Sequence, residues 1–384
     1  MPAAITARRV LLADGEWHDT TLQIEDGRIA AIGGPAQPGT VDAGDYLVLP
    51  GIVDLHGDAF ERQILPRPEA AFPLAMAMLD TDRQLVANGI TTAYHGVTWS
   101  WEGGLRGRDN AVGIRRILNQ LKAKLAAEHR IHLRWETFNL DAEAELADWI
   151  ASGHVHLLAF NDHLDMVVAR LNDDGKLRKY AERAGQSLAN FRALVERTAA
   201  REAEVPAAIA RLAAVARGAG VPMASHDDDT VAEREAFHAI GCSISEFPRT
   251  SEATEAAHRL QSPIVFGAPN VVRGGSHCGA PTAADMVAAE RCDVLASDYY
   301  YPAPLAAACH LVRDGICGWA RAAALIARNP ARAAGLTDRG ELAVGQRADL
   351  IVVDASDLTT PRVIATVVGG RLVHQAEELA RIAA

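Results

Sequence analysis

The middle of the chain alternates short, β-branched apolar runs with longer stretches whose apolar residues recur at helical spacing. Segments such as 111–129, 205–220 and 284–291 have this helical spacing and separate the runs. The runs predict strands at 51–58, 89–97, 130–137, 154–163, 221–228, 241–248, 262–270 and 292–300. Eight strands separated by helices predict an α/β fold, a (β/α)8 TIM-type barrel.

The two ends of the chain have a different pattern. Residues 1–50 and 339–373 show polar–apolar alternation, with Asp-Gly turns near the N-terminus, which is typical of antiparallel hairpins. We therefore predict a small β-sandwich domain formed by residues 1–50 and 339–384, with the barrel, residues 51–338, inserted between them. The longest connection, 164–204, is charged and predicted to be helical. An insertion after a barrel strand lies over the active face, so this segment is expected to form a lid.

Composition narrows the class of protein. The chain has 384 residues, of which 49% are hydrophobic and 23% charged, and a net charge of −11, which argues against a nucleic-acid-binding surface. No apolar run reaches the roughly 18 residues of a membrane helix. The N-terminus lacks a secretory pattern, and the five cysteines form no Cys-x-x-Cys pair. We expect a cytoplasmic protein with reduced thiols and no membrane partner.

Polar side chains stand where the predicted strands end. They are His56, Asp58, His95, Glu136, His163, His226, Asp227, Glu246 and Asp298. The carboxyl ends of parallel barrel strands converge on one face, and histidine nitrogens and carboxylate oxygens are ligands of Zn²⁺ and similar ions. One such histidine would more often be a packed residue, but the repetition along the chain predicts a catalytic divalent metal site.

The first predicted strand ends in His56-Gly57-Asp58. Residues two apart on a strand point to the same side, so His56 and Asp58 can bind one ion together. His95 and Glu246 stay open. His95 is either a packed residue or one that supports the ligands, and Glu246 is a ligand, an orienting residue or a partner for Arg249.

The stretch VPMASHDDDT, residues 221–230, carries four titratable groups in a row. We assign His226 to the metal and Asp227 to a supporting or substrate-facing position. Asp228 and Asp229 are expected to begin the following helix, where Asp suits the N-terminal end.

Two stretches resemble the amidohydrolase superfamily: YLVLPGIVDLHGD, its first-strand metal signature, and GELAVGQRADLIVVD, its return to the small sheet. Longer segments resemble one family within it, the PhnM diphosphatases of the carbon–phosphorus lyase pathway. These segments include HLRWE, ASHDD, SEFPRTSEATEAA, GAPNVVRGGSHCG and ASDYYYPAPL. The resemblance spans nearly the whole chain in the same order.

This resemblance implies hydrolysis of α-D-ribose 1-methylphosphonate 5-triphosphate to the 5-phosphate and diphosphate. It implies a divalent metal, expected to be Zn²⁺, as one or two ions. The implied metal site comprises His56, Asp58, Glu136, His163, His226 and Asp298. Asp298 matches the aspartate that orients the attacking water and takes its proton. Dimers are common in the superfamily, which leaves a homodimer open.

The chain departs from the family at several positions. Residues 56–59 read HGDA where the family reads HTDN, and residues 276–280 read SHCGA where it reads SHSGN. The regions 95–110 and 139–205 also diverge. A related ribose 5-triphosphate therefore remains an alternative substrate.

An anionic substrate needs local positive charge in an acidic protein. Arg273, Gly274, Gly275, Ser276 and His277 have the composition of an anion cradle, because glycine amides, a hydroxyl and a guanidinium can all donate to phosphate. Arg62 and Arg249 are expected to add charge. The alternative for each arginine is a solvated rim.

Two other functions remain open. The same fold and ligands would serve a carbon–nitrogen hydrolase, such as a deacetylase or cyclic amidase. A non-catalytic scaffold that has lost its metal is the second alternative, although the intact strand-end histidines argue against it.

Overall fold

The structure, a computed structural model, describes residues 4–67, 69–275 and 281–382, and its strands form two sheets. One of them has eight parallel strands arranged in chain order. They are β6 (Ile52–Gly57), β7 (Ile90–Trp99), β8 (Glu128–Glu136), β9 (Leu157–Asn161), β10 (Met223–His226), β11 (Ile244–Glu246), β12 (Ile264–Gly267) and β13 (Val294–Ala296). A bridge between Gly57 and Asp298 links the end of the last strand to the first. The predicted barrel and all eight of its strands are confirmed.

Helices separate and surround these strands. They are α1 (Glu61–Ile64), α2 (Leu74–Ala87), α3 (Arg108–Leu121), α4 (Glu143–Ala151), α5 (Leu164–Val168), α6 (Asp174–Arg183), α7 (Leu188–Ala199), α8 (Val205–Gly218), α9 (Val231–Ala239), α10 (Ser251–Arg259), α11 (Ala268–Arg273), α12 (Ala283–Ala288), α13 (Ala303–Arg313), α14 (Trp319–Ile326) and α15 (Arg328–Ala333). Because parallel strands are covered on both faces, their sequences are continuously apolar rather than alternating. All ten residues of β7 are buried, and Val53, Leu55 and Tyr94 help fill the barrel interior.

The second sheet is built from both ends of the chain. Its nine strands are β1 (Ala4–Leu11), β2 (Trp17–Glu25), β3 (Arg28–Ile32), β4 (Val41–Asp42), β5 (Leu47–Pro50), β14 (Leu350–Asp354), β15 (Arg362–Val368), β16 (Arg371–Gln375) and β17 (Ala380–Arg381). Pairing is antiparallel except where β1 runs parallel to β4 and β5. This sheet has its own apolar core, which includes Ile5, Leu22, Val48 and Leu350.

The long connection after β9 is helical, as expected. Helices α5, α6 and α7 enclose a small core of their own around Leu177, Phe191 and Val195. Trp101, from the loop after β7, stacks on Phe191 with 6.2 Å between ring centroids. Met166 of α5, together with Tyr180 and Arg183 of α6, lines a cavity at the barrel mouth, so this insertion covers part of that face.

The remaining expectations concern membranes and cysteines. Among the described residues, none of the helices has both the length and the apolar character to cross a membrane. Cys242, Cys292, Cys309 and Cys317 are free thiols, and Cys278 lies outside the described residues.

Candidate active site

The strand ends bring the predicted ligands to one face of the barrel. His56, Glu136, His226 and Glu246 are the final or next-to-final residues of β6, β8, β10 and β11. Asp58, His163, Asp227 and Asp298 come one or two residues after a strand. Because these are the carboxyl ends of neighbouring parallel strands, the side chains point toward a common space.

Three groups of these side chains each place one ligand atom per residue within 4.8 Å of the others. They are His56, His226 and Glu246; His163, His226 and Asp227; and His56, Asp58 and Asp298. His56 and His226 belong to two groups each, so the three form one connected set. Glu136 lies beside it, with Oε1 2.6 Å from His163 Nδ1, and is placed to orient that ring.

The carboxylate of Glu246 contacts two histidines of this set, His56 and His226. Its Oε1 is 2.9 Å from His56 Nδ1, and its Oε2 is 2.7 Å from His226 Nδ1. Burial opposes ionisation, but the positive charge of His56 holds the pKa of Glu246 well below its ordinary value. An ionised Glu246 accepts from His226 Nδ1 and forms an ion-pair contact with His56 Nδ1, so the Nε2 of each ring is available for another partner.

The backbone turns sharply where the strands end. Asp227, Phe247 and Asp298, which follow β10, β11 and the end of β13, have φ of 60°, 55° and 55°. This left-handed conformation costs a non-glycine residue about 1–2 kcal/mol. Strained backbone of this kind clusters at functional sites, where the surrounding structure holds it in place.

Burial and neighbouring charges set the protonation of the carboxylates and His163. Burial, with Asp58 nearby, raises the pKa of Asp298 to about 6. Burial would also raise the pKa of Asp227, but His226 and His163 outweigh this effect and lower that pKa to about 2. Burial disfavours the charged form of His163, yet Asp227 and Glu136 raise its pKa to about 9. These surroundings therefore favour the protonated form of Asp298 more than that of Asp227.

Sequence reasoning missed two residues of β8. His132 and Arg134 share the interior face with Glu136, because they are spaced by two along the strand. His132 Nδ1 donates to the Leu55 carbonyl oxygen at 3.0 Å, and burial lowers the pKa of His132 to about 3. The alternation of polar and apolar residues in HLRWE, residues 132–136, indicates that His132, Arg134 and Glu136 share one face of the strand.

His95 is not part of the site. It lies on the outer face of β7, where its Nε2 is 2.8 Å from His129 Nδ1. His129 Nε2 in turn lies 2.9 Å from Asp82 Oδ1 on α2. The pleat of β7 directs Gly96 toward His56 and sends His95 the other way, so His95 packs between sheet and helix.

Asp228 and Asp229 do not begin a helix, so this expectation was wrong. Asp228 Oδ2 accepts from Ser225 Oγ at 2.5 Å and lies 3.4 Å from Arg234 Nη1, and the side chains of Asp228 and Arg234 are fully buried. Helix α9 begins instead after Thr230, whose hydroxyl accepts from the Glu233 N–H at 3.1 Å. Asp228 pairs with an internal charge, which the local sequence pattern cannot show.

The predicted anion-binding residues lie in different surroundings. Arg249 lines the cavity at the site and pairs with Asp229 at 3.0 Å. Arg62 donates to the Tyr299 carbonyl oxygen at 2.7 Å, and Arg273 donates to the Tyr299 hydroxyl at 3.1 Å. Arg62 and Arg273 are exposed, and both contact Tyr299, the residue that follows Asp298.

The glycines of the predicted cradle end a helix. The N–H of Gly274 donates to the Val271 carbonyl at 3.3 Å, and that of Gly275 donates to Asn270 at 3.0 Å. Gly274, with φ of 74°, is the left-handed residue that closes α11. These two amides are committed to the helix end, and Ser276 and His277 lie outside the described residues.

Two adjoining cavities open at the site. One of about 320 Å³ is bordered by His56, His226, Phe247 and Arg249, and the other, of about 250 Å³, by Glu136, Tyr180 and Arg183. Asp58, Arg134 and Met166 border both. Burial lowers the pKa of His226, which favours the neutral imidazole that binds metals. Histidine nitrogens and carboxylate oxygens are the ligand types that suit a divalent ion such as Zn²⁺.

Comparison with known proteins gives the family. The chain is 32% identical over 359 residues to the alpha-D-ribose 1-methylphosphonate 5-triphosphate diphosphatase of Escherichia coli (strain K12), which covers 90% of this chain and 94% of that protein. The chain belongs to the amidohydrolase superfamily. Within the superfamily it resembles this diphosphatase, and residues 310–374 also match the sequence model of the amidohydrolase family.

Solved structures share the fold of the superfamily. N-acetyl-D-glucosamine-6-phosphate deacetylase from Mycobacterium smegmatis matches with a TM-score of 0.61 at 19% identity, covering 97% of this chain and 100% of that one. Dihydropyrimidinase from Brevibacillus agri NCHU1002 matches with a TM-score of 0.57 at 13% identity, covering 99% and 96%. At these identities the likeness extends to the fold alone.

Proposed function

We propose that the chain hydrolyses α-D-ribose 1-methylphosphonate 5-triphosphate, or a closely related ribose 5-triphosphate, to the 5-phosphate and diphosphate. The observation that carries this proposal is the 32% identity over 90% of the chain to the diphosphatase of that substrate. The chemistry of the strand ends supports it, because it provides both metal ligands and a buried carboxylate.

The residues that would hold a divalent metal come from the three groups at the barrel mouth. His56, Asp58, His163, His226 and Asp298 offer ligand atoms, while Glu136 and Glu246 fix the rings. We take Zn²⁺ as the first candidate. A divalent metal bound there would polarise a phosphoryl oxygen and make water more acidic.

The chain itself supplies a base and positive charge. Asp298 Oδ would take the proton of the attacking water, since this carboxylate borders the cavity. Arg134 and Arg249 border the same cavity and would offset the negative charge of the triphosphate. The insertion, through Met166, would limit access of bulk water.

The test is pyrophosphate release by the Zn²⁺-loaded protein on a panel of ribose 5-triphosphates, alongside a panel of N-acyl sugars and cyclic amides. We expect turnover of the triphosphates, and Asp298→Asn should lower kcat by about 10²–10⁴-fold because it removes the base. Turnover of the amides alone would favour the carbon–nitrogen hydrolase. A protein that turns over neither panel and retains little metal under replete conditions would be a scaffold.

A further inference from the structure

Arg134 has an unusual position for an arginine. It lies on β8 between His132 and Glu136, and its side chain is only 6% exposed. It borders both cavities of the site. A buried guanidinium carries a large desolvation cost, so its contacts must compensate the charge.

Those contacts are made to two of the residues that would bind the metal, His226 and Asp58. Arg134 Nη2 donates to His226 Nε2 at 3.1 Å, and Nη1 lies 3.6 Å from Asp58 Oδ2. His226 Nδ1 is already paired with Glu246 at 2.7 Å, so Nε2 carries the lone pair that a metal would use. One lone pair cannot accept a hydrogen bond and bind a metal at once. Metal binding to His226 therefore breaks this contact of Arg134.

Once released, the guanidinium would share a buried site with a divalent cation. Like charges at short range in a low-dielectric site repel strongly. An anion that touches both groups removes this repulsion, and a phosphoryl group suits the role because guanidinium binds its oxygens in a bidentate manner.

We propose that Arg134 couples metal binding to phosphoryl binding. Without an anion, Arg134 competes with the metal for His226 and Asp58. With a phosphoryl group present, Arg134 and the metal hold the same anion, so each ligand strengthens the binding of the other. The coupling rests on the metal site of the proposed function but not on which phosphate bond is hydrolysed.

The experiment measures Zn²⁺ affinity by competition with a chelating dye, with and without saturating methylphosphonate, a phosphoryl anion that is not hydrolysed. Wild-type protein should bind Zn²⁺ about tenfold more tightly with the anion. Arg134→Gln should bind Zn²⁺ more tightly than wild type without the anion and show no response to it. Arg134→Lys, which keeps the charge, should show a reduced response.

The matched control is Arg211→Gln, which removes an exposed arginine of α8 that pairs with Glu143. It should behave as wild type. An unchanged anion response in Arg134→Gln, or weaker Zn²⁺ binding by this variant without anion, would overturn the proposal.

Calorimetry of methylphosphonate binding to the wild-type protein, with and without Zn²⁺, gives a second measurement that needs no variant. The affinities must differ by the same factor as in the metal titration, and equal affinities would also overturn the coupling. A protein that shows the coupling but releases no pyrophosphate would refute the proposed diphosphatase and leave the role of Arg134 standing.

Discussion

The backbone N–H of Asp298 donates to the carbonyl oxygen of His56 at 2.8 Å, and the N–H of Asp58 donates back to the Asp298 carbonyl at 2.9 Å. The last strand thus closes onto the first at the candidate site itself. Because backbone bonds fix this pairing, the positions of His56, Asp58 and Asp298 depend on barrel closure rather than on flexible loops.

Glu246 should be required for tight metal binding. Glu246→Gln removes the charge that holds His56 and His226 through their Nδ1 atoms, so we expect Zn²⁺ affinity to fall by about 10–100-fold. Chelator competition measures the change. Glu252→Gln, on the exposed side of α10, is the control and should leave the affinity unaltered. Wild-type affinity in Glu246→Gln would show that the rings are held by other contacts.

Two adjacent aspartates should contribute very differently to stability. Asp228→Ala leaves the buried Arg234 without its carboxylate and should lower the free energy of unfolding by about 3–5 kcal/mol. Asp229 pairs with Arg249 while both side chains are 47% exposed, so Asp229→Ala should cost less than about 1 kcal/mol. Urea denaturation of both variants makes the comparison, and similar losses would contradict the buried pair.

The loop after β7 should control how the insertion docks. A Cβ at Gly104 would lie 2.5 Å from the Arg183 carbonyl oxygen, whereas one at Gly103 meets nothing within 4 Å. Both glycines have positive φ, 63° and 80°, so alanine strains the backbone at either position. Gly104→Ala should therefore push α6 away from the barrel, and Gly103→Ala should not.

Limited proteolysis of the insertion measures this difference. Cleavage within residues 170–200 should be several-fold faster in Gly104→Ala than in Gly103→Ala, because undocked helices open more often. Equal rates would mean that the insertion is held by its own core rather than by this contact.

Glu128, the first residue of β8, should make the stability of the protein depend on pH. Burial tends to raise its pKa, but Arg339, at 2.6 Å, with Arg130 and Arg347 lowers the pKa of Glu128 to about 2. A carboxyl whose folded pKa lies below its unfolded value stabilises the protein above the unfolded value, 4.5, and loses this contribution as pH falls toward 2.

Urea denaturation of wild type and Glu128→Gln at several pH values checks the sign. Above pH 5 the wild type should be more stable by about 3 kcal/mol, and the gap should close as pH falls through the interval between 4.5 and 2. A gap that stays constant down to pH 2 would show that the loss comes from packing rather than from charge.

The sequence by itself determined the order of the elements. Eight apolar runs with helices between them predicted the barrel, since strand and helix spacing is a local property. Polar residues at the ends of these apolar runs predicted the position of the functional site. The structure brings five of them together there: His56, Asp58, His163, His226 and Asp298.

Tertiary structure decided which of the remaining polar groups share that space. His95 faces outward and Arg134 inward, because the side-chain direction alternates along a strand and depends on how the strand is placed in the closed barrel. Asp228 pairs with Arg234, and Glu246 pairs with two histidines from other strands. Such partners are distant in sequence or hidden by burial, so only the packed molecule assigns them.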